Sequence, residues 1–203
     1  MSAVLGSPTT PAAVDPASPP HSAAAVSASG LSMSGSGKII RPAPAEIEFK
    51  NMRFLITEQP QDATISNYLK ILKEHKVTHL VCATDPTYKT DELKAIGVNF
   101  TELAFADGSA PSSDIVEKWL VLLKKEFSNN PEICVGVHCV TGLGRAPVLV
   151  AVALIELGMK YEDAVEMIRK KRRGAINSRQ LEFLAKYKRR KYLIKGKNKC
   201  QIQ

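Results

Sequence analysis

The chain reads as an α/β protein with a mostly parallel central sheet and helices on both faces. Three observations point there. Strand and helix patterns alternate through the first part of the folding region, and helical patterns finish it. An apolar run, Ile133 to Val137, leads through a glycine loop into a second apolar run, Ala146 to Leu157, the order of a buried strand, a tight turn and a buried helix. Composition also divides the 203 residues into an Ala/Ser/Pro-rich extension (1–45), one domain (46–191) and a basic tail (192–203).

The first 45 residues carry only Asp15, Lys38 and Arg41 as charges. Such a segment buries too little apolar surface to offset its ordering entropy and is expected to be disordered. It lacks an apolar stretch flanked by basic residues, so it does not read as a signal peptide. Ile47 to Phe49 and Arg53 to Thr57 are expected as short strands. Thr64 to His75 carries Ile65, Tyr68, Leu69 and Leu72 on one helical stripe. Thr78 to Ala83 reads as a strand, Asp91 to Ala95 as a short helix stopped by Gly97, and Val98 to Leu103 as another strand. Asp114 to Phe127 reads as a helix, capped by Ser112 or Ser113 and suited at its start by Asp114. After the strand Ile133 to Val137, helices are expected at Arg145 to Leu157, Tyr161 to Arg172 and Ser178 to Lys191. His75 and His79 show no evident role and are expected to be exposed.

Val137-His138-Cys139-Val140-Thr141-Gly142-Leu143-Gly144-Arg145 joins the central strand to its helix. Backbone N–H groups of a glycine loop that opens a helix gather around an anion, helped by the helix dipole. Arg145 can clasp two phosphate oxygens. Cys139 at the same N-terminus would be held as a thiolate able to attack phosphorus. The competing reading is a buried structural cysteine with Arg145 in a surface ion pair. A metal site built from Cys134, His138 and Cys139 fits poorly, because strand alternation sends His138 and Cys139 to opposite faces. No metal or other cofactor is called for.

Charge is uneven along the chain. Residues 169–203 hold 14 Lys and Arg against Glu182 alone, while the remainder holds 14 basic and 19 acidic residues, for a net +8. Such a tail suits nucleic acid or an anionic membrane, and the last four residues separate the two. Cys200-Gln201-Ile202-Gln203 fits the Cys-a-a-X prenylation pattern. Lys186, Lys188, Arg189, Arg190, Lys191, Lys195, Lys197 and Lys199 precede it. One lipid chain plus a polybasic patch gives stable membrane binding. An anionic membrane is therefore the expected partner, and nucleic acid is not. No run of about 20 apolar residues spans a membrane. Four cysteines without a secretory signal indicate a reducing compartment.

His138-Cys139 and Arg145 have the spacing of the signature loop of cysteine-dependent tyrosine phosphatases. Longer stretches extend the match: Lys50 to Thr57, Gly142 to Val150, Met159 to Val165, and Lys171-Arg172-Arg173-Gly174-Ala175. Together they resemble the phosphatase-of-regenerating-liver family, the type IVA prenylated tyrosine phosphatases, over about residues 44 to 203. The resemblance implies a dual-specificity-like cysteine phosphatase fold. It implies Cys139 as nucleophile, Arg145 with Val140, Thr141, Gly142, Leu143 and Gly144 as the phosphate-binding loop, and Asp107 as general acid. Asp107 also reads as a turn-forming Asp-Gly pair. The uncharged Val140, Thr141 and Leu143 favour a phosphotyrosine protein as substrate over an inositol phosphate, while membrane location keeps phosphoinositides open.

The resemblance further implies prenylation at Cys200 and attachment to the cytoplasmic face of plasma or endosomal membranes, with a cytosolic form when the lipid is missing. Slow turnover follows from Ala146, where most cysteine phosphatases carry a hydroxyl. Trimers, and binding to CBS-pair magnesium transport mediators through the phosphate pocket, are family properties too. The chain departs from the family in places. Leu103-Ala104 stand for Trp-Pro, Ala106 for a second Asp and Thr141 for an alanine. Thr84 occupies the place of the family's second redox cysteine, and Cys82, two residues earlier, is a candidate replacement. Asn177 and Gln180 read as a helix cap or as a brace for the active site. A slow phosphatase and a phosphate-pocket binding module both remain open on these residues.

Overall fold

The computed structural model describes residues 43–193. Most of the extension expected to be disordered, and the tail with Cys200, lie outside the described residues. The strands are β1 (Ala45–Phe49), β2 (Met52–Glu58), β3 (Val77–Cys82), β4 (Asn99–Glu102) and β5 (Cys134–Cys139). The helices are α1 (Ile65–Glu74), α2 (Asp91–Ala95), α3 (Ser113–Asn129), α4 (Arg145–Glu156), α5 (Tyr161–Lys171) and α6 (Ser178–Lys186), with a 3-10 turn at Asp62–Thr64.

The sheet order is β1-β2-β5-β3-β4. β1 runs antiparallel to β2 through a tight turn in which Lys50 takes a φ of 54°, and every other pairing is parallel. The mostly parallel sheet expected from the strand-helix alternation is thus present. β5 lies at the centre and is buried throughout, which accounts for its near-continuous apolar sequence.

Strand alternation sorts the core into two layers. Phe54, Ile56, Val81, Val135, Val137 and Cys139 face the layer built with α3 to α6, whereas Leu55, Leu80 and Cys134 face α1 and α2. Helices therefore cover both faces. α4 is buried along its whole length, as its apolar sequence requires. Trp119 of α3 is fully buried and donates from its indole N–H to the Leu149 carbonyl of α4 at 2.7 Å.

Three expectations need correction. His75 is half-buried, with Nδ1 2.6 Å from Glu46 Oε2. α6 stops at Lys186 rather than Lys191, because Tyr187 turns extended (φ −67°, ψ 121°) and the following N–H groups bond elsewhere. His79 is buried, not exposed. It lies on β3 with Nε2 2.8 Å from Thr101 Oγ1 and Nδ1 3.3 Å from Glu126 Oε1. Burial lowers its pKa, with Glu126 partly offsetting the effect. It lines a cavity of about 600 Å³ between β4 and α3, apart from the signature loop.

Candidate active site

Cys139 is the last residue of β5 and is only 2% exposed. Residues 140–144 form the loop, and Arg145 opens α4. The site thus lies beyond the carboxyl end of a central parallel strand, the usual ligand position in such sheets.

The loop owes its shape to where its carbonyls point. The Val140 carbonyl accepts from Gln59 N at 3.1 Å, and that of Leu143 from Ile176 N at 2.8 Å. The Thr141 carbonyl accepts from Arg172 Nη2 at 2.8 Å. In a planar trans peptide the N–H points opposite to the carbonyl. Three outward carbonyls therefore turn the N–H groups of Thr141, Gly142 and Gly144 to the concave side, where an anion would meet them. Gly142 has a φ of 67°, and a Cβ there would strike the Thr57 backbone and the Arg172 guanidinium. Only glycine fits that conformation and that space.

Arg145 reaches back over the loop from the first turn of α4. Its Nη1 donates to the Phe105 carbonyl at 3.2 Å, and its Nε lies 3.2 Å from Asp107 Oδ1. The two partners differ in setting: the Arg145 side chain is 8% exposed and that of Asp107 84%. The pocket cation is fixed and the carboxylate stands at its mouth.

The Asp107 loop is held from below. Asn177 Nδ2 donates to the Gly108 carbonyl at 3.0 Å, and Gln180 Nε2 to the Ser109 carbonyl at 3.1 Å. The same two residues form a reciprocal capping box at the start of α6, with Gln180 N to Asn177 Oδ1 at 2.9 Å and Asn177 N to Gln180 Oε1 at 3.1 Å. Cap and brace are both present. At the altered Trp-Pro position, Leu103 is buried, and its N–H donates to the Cys82 carbonyl at 2.8 Å, anchoring the loop to β3.

The remaining expected residues fall out as follows. Val140 is exposed and Thr141 lies at the rim. The Thr141 hydroxyl accepts from Leu143 N at 3.3 Å, so the residue that replaces alanine ties up a loop amide. Ala146 is fully buried and brings no hydroxyl. His138 is buried with Nε2 2.7 Å from Tyr88 Oη, and burial pushes its pKa down to about 4, so it is neutral. Cys82 lies on the strand next to Cys139, close enough for the two thiols to interact electrostatically. The β3–β5 register pairs Cys82 with His138, so the two thiols leave the sheet on opposite sides. Cys82 Sγ instead donates to the Thr84 carbonyl at 2.8 Å, and burial pushes its pKa up to about 11. Cys200 lies outside the described residues.

Arg172 was legible only as part of a basic run, yet it is 2% exposed. Besides Thr141, it donates from Nη1 to the Ala43 carbonyl at 2.8 Å and to the Ile56 carbonyl at 3.4 Å. Burial lowers its pKa, and the nearby Cys139 and Glu58 partly offset that. The signal for it was periodicity: Arg172 continues the buried stripe of Val165 and Ile168 along α5.

Comparison with known proteins agrees with this geometry. Residues 56–159 match a family model described as a polymorphic toxin system DSP-PTPase phosphatase. The chain is 56% identical over 169 residues to the PRL-1 phosphatase of Drosophila melanogaster, covering 82% of this chain and 96% of that one. It is 54% identical over 148 residues to protein tyrosine phosphatase type IVA 3 of Bos taurus, covering 73% and 86%. Among solved structures, a protein tyrosine phosphatase from Leishmania major superposes with a TM-score of 0.66 at 37% identity, over 72% of this chain and 99% of that one. With a cysteine and an arginine set across a cradle of inward amides, and with relatives this similar over nearly their whole length, the chain belongs to the type IVA (PRL) family of protein tyrosine phosphatases.

Proposed function

We propose that the chain is a membrane-attached phosphatase of phosphotyrosine proteins that works slowly through a phosphocysteine. Arg145 seated over the loop, with Asp107 at 3.2 Å from its Nε, is the observation that carries this reading. A phosphate dianion would take the guanidinium and the inward amides. The Cys139 thiolate would attack phosphorus in line, forming the P–S bond as the P–O bond to the phenol breaks. Asp107, displaced from Arg145 by the dianion and protonated from solvent, would pass that proton to the leaving oxygen. Water would then break the P–S bond, returning the thiolate and releasing inorganic phosphate. Ala146 cannot help that second step, so the intermediate should persist.

Hydrolysis of an aryl phosphate tests this. Wild type should show a burst of phenol followed by a slow steady rate, and Ala146→Ser should raise the steady rate. Cys139→Ser should abolish both phases. Undiminished hydrolysis by folded Cys139→Ser would reject the mechanism. Attachment rests on a prenylated Cys200 and the basic tail, and would place the protein on the cytoplasmic face of plasma or endosomal membranes. Among the described residues no helix is long and apolar enough to cross a membrane.

The Arg145–Asp107 pair favours a second reading. The pocket cation already grips a carboxylate, so an acidic side chain of a partner could take the same seat. A CBS-pair magnesium transport mediator would be such a partner, and trimers of this chain would multiply the contact. Competition between vanadate and the partner for wild-type protein distinguishes this reading from catalysis alone.

A further inference from the structure

Glu156 ends α4 and has no solvent exposure. A buried carboxylate is costly unless its oxygens are bonded. Oε1 accepts from Tyr187 Oη at 2.8 Å and from Arg190 N at 2.6 Å, and Oε2 accepts from Tyr192 N at 2.9 Å. The Glu156 carbonyl accepts from Arg189 Nε at 2.9 Å. One residue thereby fastens the stretch from Tyr187 to Tyr192, just where α6 has ended. Two contacts to α3 add to it: Arg190 Nη2 donates to Ser113 Oγ at 2.9 Å, and Lys124 Nζ lies 4.8 Å from the centre of the Tyr192 ring. The reaction described above uses none of these groups.

The fastened stretch is the root of the basic tail, and Lys188, Arg189, Arg190 and Lys191 are exposed on it. Arg189 is laid against Gly158, where a Cβ would come within 3.2 Å of its Nη1; Gly158 has a φ of 102°. Arg189 and Lys160 together line a cavity of about 250 Å³ with Tyr161 and Tyr187. The end of α4, the start of α5 and the tail root thus meet at one surface that carries Lys160 and Arg189.

We propose that Glu156 is the fastener of a lipid-facing surface. It holds the root so that Lys124, Lys160, Lys188, Arg189, Arg190 and Lys191 meet an anionic bilayer as one preformed face rather than a loose string. This rests on the membrane attachment proposed above. Cys200 stands seven residues beyond Leu193, so at roughly 3.5 Å per residue a lipid there keeps the root within about 25 Å of the membrane. The root that Glu156 fastens is then kept close to the bilayer. Ordering that is already complete in the free protein need not be supplied on binding.

The full chain made without a lipid tests this against vesicles of phosphatidylcholine with and without phosphatidylserine. Glu156→Gln keeps the shape but turns an amide donor toward the root N–H groups, and Tyr187→Phe removes one bond. Glu156→Gln should bind anionic vesicles about tenfold more weakly, as if one or two residues had to be ordered anew, and trypsin should cut its root faster. Tyr187→Phe should fall between and carries the test if Glu156→Gln does not fold. Aryl phosphate hydrolysis should be retained in both. Unlipidated wild type that ignores phosphatidylserine would overturn the lipid-facing surface, while attachment through a prenylated Cys200 is tested separately by fractionation of Cys200→Ser. Wild type that binds, beside a trypsin-sensitive Glu156→Gln that binds equally, would overturn the fastener alone, as would a root still resistant to trypsin.

Discussion

Replacing Arg172 with methionine removes a buried cation and keeps an unbranched stem. Arg172 makes two short charge-assisted bonds, to the Thr141 and Ala43 carbonyls at 2.8 Å each; the third, to Ile56 at 3.4 Å, is long and counts for little. At about 1.5–3 kcal/mol per bond to a charged group, the substitution should cost roughly 3–6 kcal/mol of stability, a survivable share of a typical domain's 5–15 kcal/mol or so. Function should suffer more. A freed Thr141 carbonyl lets its peptide turn, which points the Gly142 N–H away from the anion. Losing one preorganised donor typically costs on the order of 10²–10³ in rate. The assays are kcat/KM for an aryl phosphate, vanadate inhibition, and urea unfolding of the same preparations. Arg172→Lys keeps the charge but not the fork that spans two carbonyls, so it should recover stability more than activity. Folded Arg172→Met with unchanged kcat/KM and vanadate affinity would refute the reasoning.

Thr141→Ala should release the Leu143 N–H now held at 3.3 Å and strengthen vanadate inhibition about two- to fivefold, the worth of one weak neutral bond; unchanged or weaker inhibition would count against the cradle as drawn. His138 has a folded pKa of about 4 against 6.5 unfolded, so the unfolded chain binds its proton first. Its contribution is whole above about pH 6.5 and is lost as pH falls toward 4, roughly 3 kcal/mol in all. Urea midpoints between pH 7 and 4.5 should fall in wild type and flatten in His138→Asn. Cys200→Ser should move the protein from membrane to cytosol on fractionation, and unchanged retention would assign anchoring to the basic residues alone.

Much of this was readable in the chain because periodicity reports burial. The stretch from Ala146 to Leu157, apolar but for Glu156, reads as a central helix, and the glycine loop before it as the turn that follows a strand. What escaped was set by pairings distant in sequence. Nothing near Glu156 announces that residues 31 to 36 positions later will bond it, so α6 was drawn too long. His79 is polar on a strand whose neighbours bury it, and only the fold supplies Glu126 and Thr101 beside it. Arg172 hides in a basic run, where composition suggests solvent and the helical phase suggests the core. Cys82 is next to Cys139 on the adjoining strand, but only the register shows that the two side chains start from opposite faces of the sheet.

The most direct measurement is the chemical state of Cys139 during turnover. Wild type quenched in acid within the burst and digested should yield phosphate on the peptide carrying Cys139, near one per chain, and Ala146→Ser should hold much less of it at steady state. Steady hydrolysis with no phosphate on Cys139 at any quench time, or phosphate on another residue, would contradict the account.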